Sequence, residues 1–246
     1  MNFQYTSQYN SSIIRGTDDK NSDRPWNLLN EIINYSENKN TLLDIGCGTA
    51  SKTILLSQYF KKIIGIDISE SMAKAAIKLC QHKNLSNTTI VQGNSNKLPF
   101  ANNSFDLVTC MLSKWDLKEI LRVLKPNGHI IVEHIGCEDK KDFKYIFGKD
   151  SLGWRGQFLE FNEKEYIKNF FDLFSAYFNK VFIKNGFWKT TYTKKGILKL
   201  LKHTPTIRNY NYYLDKQFIK KALENFKTHQ GITLIQNRVL IHATNS

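Results

Sequence analysis

The sequence predicts an α/β fold, doubly wound, in which a mostly parallel sheet carries helices on both faces. Three observations predict it. Residues 41–50 have the pattern of a short buried strand, a glycine turn and the start of a helix. Asp67 ends the next apolar strand, at residues 62–66. Short apolar runs then alternate with helical patterns as far as residue 135, which is typical of repeated strand–helix–strand units.

Composition limits the class of protein. The 246 residues include 41% hydrophobic side chains, enough for one domain with a substantial core. No stretch reaches the ~20 apolar residues that a membrane-spanning helix needs, and residues 1–16 lack the apolar centre of a signal peptide. The four cysteines are far apart in sequence and form no C-x-x-C motif. We therefore expect no metal site, no membrane partner and a reducing, cytoplasmic location.

The net charge of +13 is unevenly distributed. Residues 1–138 hold 15 Lys and Arg against 13 Asp and Glu, whereas residues 139–246 hold 20 against 9. The basic excess of +11 in the second half is compatible with an anionic substrate or with RNA. The alternative is that a lysine-rich chain places these charges on solvated helix faces without any partner.

The glycine turn is the strongest functional signal. Gly46 and Gly48 lack a Cβ, so the backbone can turn tightly and approach a ligand closely. One interpretation is a dinucleotide site, G-x-G-x-x-G, but its third glycine would fall on Ser51. A second is an S-adenosylmethionine site, in which Asp67 accepts two hydrogen bonds from ribose hydroxyls. A third is a strand-to-helix turn without a ligand.

The pattern Asp44-x-Gly46-x-Gly48-x-Ala50, followed by Asp67, resembles motifs I and II of the class I S-adenosylmethionine-dependent methyltransferases, of the small-molecule (type 11) kind. The acid before the glycines and the acid after them distinguish this pattern from an isolated glycine pair.

Three later stretches extend the resemblance. Residues 93–100 are similar to the family's G-D-A-x-x-L-P-F, residues 104–108 to S-F-D-x-V, and residues 122–128 to R-V-L-K-P-G-G. Asn94 replaces the family's acid in the first stretch, and its amide oxygen could still accept a bond from the adenine amino group. Asn127 replaces a glycine in the last stretch, and Asn tolerates the left-handed backbone that this turn requires.

The resemblance implies that S-adenosylmethionine lies at the carboxyl ends of the first four strands and becomes S-adenosylhomocysteine when it loses its methyl group. The cofactor-binding residues that it implies are Asp44, Gly46, Cys47, Gly48, Asp67, Ile68, Met72, Asn94, Ser95 and Met111.

The resemblance also implies a Rossmann-like sheet of seven strands with a helical cap inserted before the last strand. The expected strands are residues 41–45, 62–66, 88–92, 104–110, 129–135, 180–184 and 231–243. The expected helices are residues 25–36, 51–60, 70–83, 117–124, 163–178, 193–201 and 216–226.

We expect one methyltransferase domain over residues 1–246. It consists of an N-terminal lid and helix (1–40), a cofactor-binding core (41–135), and a substrate-side half (136–246) whose cap covers about residues 186–230. In similar methyltransferases the N-terminal segment folds over the cofactor, so the lid residues would be Tyr5, Tyr9, Arg15 and Arg24; a frayed terminus is the alternative.

A general base is needed only if the methyl acceptor must lose a proton. His134, at the end of the fifth strand, is the predicted catalytic residue, because a neutral imidazole can accept a proton near pH 7. Glu133 and Asp116 are the other candidates, and a histidine in a local hydrogen bond is the alternative. Arg155 could bind an anionic group in bidentate fashion or simply be solvated.

Two main classes of function follow. The first is methyl transfer to a small-molecule acceptor by in-line displacement. The second is methyl transfer to tRNA or rRNA along the basic C-terminal half, although no RNA-binding module accompanies the core. A non-catalytic cofactor-binding protein is a weaker third interpretation.

Overall fold

A computed structural model describes residues 16–19, 23–35 and 39–244. The strands in these ranges are β1 (Thr17–Asp18), β2 (Thr41–Ile45), β3 (Lys62–Asp67), β4 (Thr88–Gln92), β5 (Phe105–Met111), β6 (Leu124–Ile135), β7 (Lys149–Asp150), β8 (Gly153–Trp154), β9 (Lys180–Tyr192), β10 (Lys227–Thr228) and β11 (Gly231–Thr244). The α-helices are α1 (Leu28–Tyr35), α2 (Glu70–His82), α3 (Leu117–Val123), α4 (Lys141–Tyr145), α5 (Glu163–Ser175), α6 (Lys194–His203) and α7 (Lys216–Asn225).

The chain divides into two compact units. We call residues 26–134, 169–184 and 239–244 the sheet unit. We call residues 16–19, 23–25, 135–168 and 185–238 the helical unit. Strands β9 and β11 contribute residues to both units.

Parallel pairing organises the sheet unit. β2 lies between β3 and β5, while β4 pairs with β3 and β6 pairs with β5, all in parallel. The apolar run of β2 is buried because both faces of a parallel sheet are covered. One core cluster joins these strands to α1 and contains Trp26, Leu28, Ile32, Leu42, Leu56, Phe60, Ile63, Leu107, Ile131 and Leu240.

The main sheet has more strands than the seven expected from the sequence. Its order is β1-β9-β11-β6-β5-β2-β3-β4, with β10 beside β11. The seven predicted strands are all present. The two additional strands, β1 and β10, have two residues each and pair antiparallel with β9 and β11. Pairings this short have no detectable apolar periodicity, so the sequence does not reveal them.

The helical unit contains the predicted insertion between the last two long strands, where α6 and α7 follow β9. The expected start of this insertion at residue 186 is wrong, because residues 186–192 continue β9. Thr193 then caps α6 by accepting a hydrogen bond from Gly196 N. Both helices bury their apolar faces with α4 in one cluster, formed by Phe143, Phe147, Tyr192, Ile197, Leu200, Leu201, Ile207, Ile219, Ala222, Ile232 and Leu234.

The helix expected over residues 51–60 is replaced by turns around a short 3-10 helix, Thr53–Leu56. Gly46, Gly48 and Ala50 all have positive φ angles, of 71°, 56° and 57°. The loop therefore extends beyond the position at which a helix would begin. Thr53 then donates a hydrogen bond to Asp44 at 2.6 Å, which fixes the short helix against β2.

Asn127 has a φ of 59°, which confirms the left-handed turn before the long part of β6. In α2 the buried positions are Ala73, Ala76 and Cys80, which lie three or four residues apart on one side of the helix.

Two findings hold for residues 16–19, 23–35 and 39–244. No helix there is long and apolar enough to cross a bilayer. No group of three or more His, Cys, Asp or Glu side chains there is arranged to hold a metal ion.

Candidate cofactor site and catalytic residues

The glycine turn after β2 is tied to the end of β3 by backbone hydrogen bonds. Gly46 N and Cys47 N both donate to Ile66 O, at 2.7 and 3.1 Å. A Cβ at Gly46 would lie 2.0 Å from Ser113 Oγ, whereas a Cβ at Gly48 would meet no atom within 4 Å. The first glycine is therefore required by close packing, and the second faces open space beside the turn.

Asp67 closes this turn from the neighbouring strand. Its Oδ2 accepts a hydrogen bond from Gly48 N at 2.8 Å, and its Oδ1 accepts one from Ser69 N at 2.9 Å. The side chain is half-buried. A carboxylate oxygen can accept two hydrogen bonds, so each oxygen retains capacity for one further donor.

Asp44, the acid before the glycines, is held by two hydroxyl groups. Its Oδ2 accepts from Thr53 Oγ1 at 2.6 Å and its Oδ1 from Thr109 Oγ1 at 3.1 Å. Burial raises the pKa of Asp44, while these hydrogen bonds and the charge of Lys52 oppose the increase. Lys52 Nζ also lies 2.7 Å from Met111 Sδ. Lys52 is thus a charged residue of this site that no sequence motif indicated.

The parallel register brings the predicted cofactor residues to one edge of the sheet. Ile45 pairs with both Ile66 and Cys110, and Asp67 pairs with Gln92, so the four strands end together. At or just after these strand ends lie Asp44, Gly46, Cys47, Gly48, Asp67, Ile68, Asn94, Ser95 and Met111, with Met72 in the first turn of α2.

Individual residues of this set differ in exposure and bonding. Ile68 is 68% exposed. Asn94 is exposed, and its Oδ1 accepts a hydrogen bond from Asn96 N at 2.9 Å, which closes a tight turn. Burial raises the pKa of the Cys47 thiol, so this side chain stays protonated near neutral pH.

Comparisons with known proteins show the family to which this chain belongs. A family model described as a methyltransferase domain matches residues 43–132. The demethylmenaquinone methyltransferase of Lactococcus lactis subsp. lactis (strain IL1403) is 30% identical over 185 residues, which are 68% of this chain and 73% of that protein. That of Staphylococcus saprophyticus is 30% identical over 196 residues, which are 62% of this chain and 83% of that protein. The chain belongs to the class I S-adenosylmethionine-dependent methyltransferases.

A third relative supports the fold of this methyltransferase. The sequence of the uncharacterized methyltransferase YcgJ from Bacillus subtilis (strain 168) is 33% identical over 106 residues, which are 40% of this chain and only 42% of YcgJ. The crystal structure of YcgJ aligns with a TM-score of 0.62 at 21% identity, covering 88% of this chain and 97% of that chain.

The residues of the turn fit S-adenosylmethionine, the cofactor of this family. Gly48 borders open space, which leaves room for a ligand against the backbone. Asp67, at the end of the second strand of the core, keeps acceptor capacity on both oxygens for ribose hydroxyls. A dinucleotide site would require a third glycine, and this methyltransferase has Ser51 there.

All three predicted general bases have partners within the fold. Glu133 is buried, and its Oε1 accepts a hydrogen bond from Trp26 Nε1 at 2.8 Å. Asp116 caps α3 by accepting from a backbone N–H of its first turn at 3.1 Å. His134 is 5% exposed, and its ring centroid lies 5.1 Å from that of Phe170.

In the helical unit, the two arginines for which the sequence predicted a ligand-binding role contact other side chains of the protein. Arg155 binds both oxygens of Asp215, at 2.7 and 2.9 Å, so it is an ion-pair residue rather than a solvated one. Arg24, from the predicted lid, lies 4.8 Å from the ring centroid of Trp188. The remaining predicted lid residues lie outside the described residues: Tyr5, Tyr9 and Arg15.

A buried charge cluster in the helical unit was not indicated by the sequence. Asp139 accepts hydrogen bonds from Lys140 Nζ at 2.8 Å and Arg238 Nη1 at 2.5 Å. Burial would raise the pKa of Asp139, but the surrounding positive charges outweigh it and hold the pKa below its usual range. Burial lowers the pKa of Lys144 to about 8. Part of the basic excess of residues 139–246 is therefore internal.

Proposed function

We propose that this methyltransferase transfers the methyl group of S-adenosylmethionine to a small-molecule acceptor. The observation that carries this proposal is the glycine turn, with open space at Gly48 and the acceptor capacity of Asp67 beside it. The bound cofactor would supply an electrophilic methyl carbon on its sulfonium. The chain's main contribution would be to hold the acceptor in line with that carbon.

Individual roles at the sheet edge follow from the chemistry of the residues. Asp67 would hold the ribose hydroxyls, and Asn94 Oδ1 would accept from the adenine amino group. Gly48 would allow the backbone to approach the cofactor closely, and Gly46 would shape the turn, because Ser113 is packed where its Cβ would lie. The remaining contacts would come from Asp44, Cys47, Ile68, Met72, Ser95 and Met111.

The distribution of basic side chains favours a small molecule over RNA. Lys140, Lys144 and Arg238 are buried, and Arg155 is paired with Asp215. A single-stranded RNA track needs a continuous basic groove with aromatic platforms, and these residues cannot contribute to one. Since two relatives are named demethylmenaquinone methyltransferases, demethylmenaquinone is the first acceptor to assay.

Calorimetric titration of the purified chain tests the cofactor assignment. We expect binding of S-adenosylhomocysteine and no binding of NAD. The converse result would reject the proposed function.

The acceptor class is tested by transfer of a labelled methyl group to three preparations: demethylmenaquinone, a small-molecule cell extract and total RNA. We expect label in at least one of the small-molecule preparations and none in RNA. Robust labelling of tRNA or rRNA would replace the small-molecule proposal with the RNA one. Cofactor binding without transfer to any preparation would favour a non-catalytic protein.

A further inference from the structure

Two loops of the helical unit expose apolar side chains. Leu152, between β7 and β8, is 72% exposed. Tyr213 and Leu214, between α6 and α7, are 84% and 79% exposed, and the adjacent Tyr212 is 48% exposed. Exposed apolar side chains that cluster on a surface often mark an interaction site. We call these four residues the apolar tip.

The two loops leave the same end of a short antiparallel pairing. Gly156 pairs with Ile207 in an antiparallel bridge, and Arg208 N donates to Arg155 O at 2.7 Å. In an antiparallel pair, the chain that precedes one partner and the chain that follows the other depart in the same direction. Residues 208–209, where the longer loop begins, therefore lie beside the β7–β8 turn.

Two arginines hold the loops together. Arg208 binds Asp150 at 2.5 Å and donates to Leu152 O at 3.4 Å, so it links the β7–β8 turn to the start of the other loop. Arg155 binds Asp215 at the far end of that loop. The apolar tip is thus anchored at both of its loops.

The backbone of the longer loop is also fixed. Asn211 Oδ1 accepts hydrogen bonds from Tyr213 N at 2.9 Å and Leu214 N at 3.2 Å. Asp215 Oδ2 in turn accepts from Asn211 N at 2.9 Å. The exposed side chains are therefore presented on an ordered turn, which reduces the entropy lost when they insert into a partner.

Exposed basic residues flank the apolar tip in sequence. Residues 194–227 contain nine Lys and Arg against two Asp and Glu. Lys216 and Lys220 are exposed, directly follow the tip and lie one helical turn apart on α7. Lys149, in β7 just before the loop that carries Leu152, is also exposed. This combination complements an anionic bilayer, where tyrosines sit at headgroup level and lysines lie among the phosphates.

We propose that the apolar tip and its flanking lysines dock this methyltransferase on the surface of an anionic phospholipid bilayer. The protein would lie on the membrane rather than span it, contrary to the expectation of no membrane partner. Leu152 and Leu214 favour lipid over RNA, because an aliphatic side chain offers no ring on which a base can stack. Docking of this kind is independent of the identity of the methyl acceptor.

Co-sedimentation of the full chain with vesicles tests this docking. We expect it to sediment with vesicles that contain phosphatidylglycerol and not with pure phosphatidylcholine, and the binding should weaken as salt increases. Tyr213→Ser combined with Leu214→Ser should weaken binding at least ~tenfold, because two apolar side chains no longer leave water. Lys216→Glu with Lys220→Glu should weaken it similarly.

A matched control is Tyr177→Ser with Phe182→Ser, which removes two aromatic side chains, 49% and 57% exposed, from the sheet unit. This control should bind anionic vesicles as the unchanged chain does. Circular dichroism and S-adenosylhomocysteine binding establish that each variant is folded.

Three results would overturn the docking proposal. They are failure of the unchanged chain to sediment with anionic vesicles, equal loss of binding in the control, and full binding by the Tyr213 and Leu214 double variant. RNA retention or self-association that requires the apolar tip, without vesicle binding, would assign the surface to that partner instead.

Discussion

Replacing Asp67 with alanine should weaken both the glycine turn and the cofactor site. The change removes the acceptors for Gly48 N and Ser69 N, at 2.8 and 2.9 Å. Hydrogen bonds to a charged group contribute about 1.5–3 kcal/mol each. Asp67 is half-buried, so water can replace part of them, and we expect a total loss of about 1–2 kcal/mol in the free energy of unfolding. For a chain of this length that corresponds to a Tm decrease of about 2–8 °C.

The same substitution should weaken binding of S-adenosylhomocysteine at least ~tenfold, because a tenfold change requires only about 1.4 kcal/mol and the ribose would lose two hydrogen-bond acceptors. Since a ligand stabilises the folded state in proportion to the logarithm of its concentration over Kd, the Tm increase that it produces should also shrink. Calorimetry gives the Kd. Thermal unfolding without the ligand gives the loss of stability, and unfolding with the ligand gives the Tm increase that the ligand produces.

Asp116→Ala is the matched control for this experiment. It removes a carboxylate that accepts one backbone N–H at the start of α3, so it should cost about 1 kcal/mol of stability and leave the Kd unchanged. A wild-type Kd in Asp67→Ala, or an equal loss of affinity in Asp116→Ala, would refute the assignment of Asp67 to the ribose.

Three further predictions concern packing, pH dependence and catalysis. Gly46→Ala should reduce stability in denaturant titrations by at least about 1–2 kcal/mol, because φ is 71° and the new Cβ would meet Ser113, and Ser113→Gly should restore part of the loss. Burial lowers the pKa of His242 from 6.5 to about 4. The unfolded chain therefore takes up this proton more readily, and stability should fall by up to about 3 kcal/mol as the pH decreases through this window; His242→Gln should remove that dependence. His134→Gln should lower kcat for methyl transfer by about 10²-fold or more without changing the Kd for S-adenosylhomocysteine.

A specific result would contradict each of these three predictions. Wild-type stability in Gly46→Ala would show that the turn relaxes easily around Ser113. An identical pH profile in His242→Gln and the unchanged chain would show that other groups control acid stability. An unchanged kcat in His134→Gln would contradict the prediction that this histidine is the general base.

The parts of the fold that could be predicted depend on local patterns. The apolar run 42–45, the two glycines and Asp67 are adjacent in sequence or one strand apart, and their pairing follows from the rules of parallel sheets. Ala50 shows the limit of such reasoning, since its positive φ of 57° is unusual for alanine and shortens the expected helix.

The parts that could not be predicted depend on contacts between distant residues. Nothing local places Lys52 beside Met111, 59 positions away, or Ser113 against Gly46. Lys140 and Lys144 are buried although lysine is normally a surface residue, because Asp139 is close to both. Composition therefore overstated the surface charge of the C-terminal half.

One core cluster of the sheet unit depends on a residue near the C-terminal end of the described chain. Leu240 shares a core cluster with Leu107 and Ile131, although it follows them by more than a hundred positions. A fragment that ends at residue 134 would hold every residue predicted to bind the cofactor, yet it would leave this cluster incomplete and the edge of β6 without β11. Open strand edges favour aggregation. A minimal catalytic domain cut at that point should therefore be insoluble, and a growing chain cannot complete this core until residues 239–244 have left the ribosome.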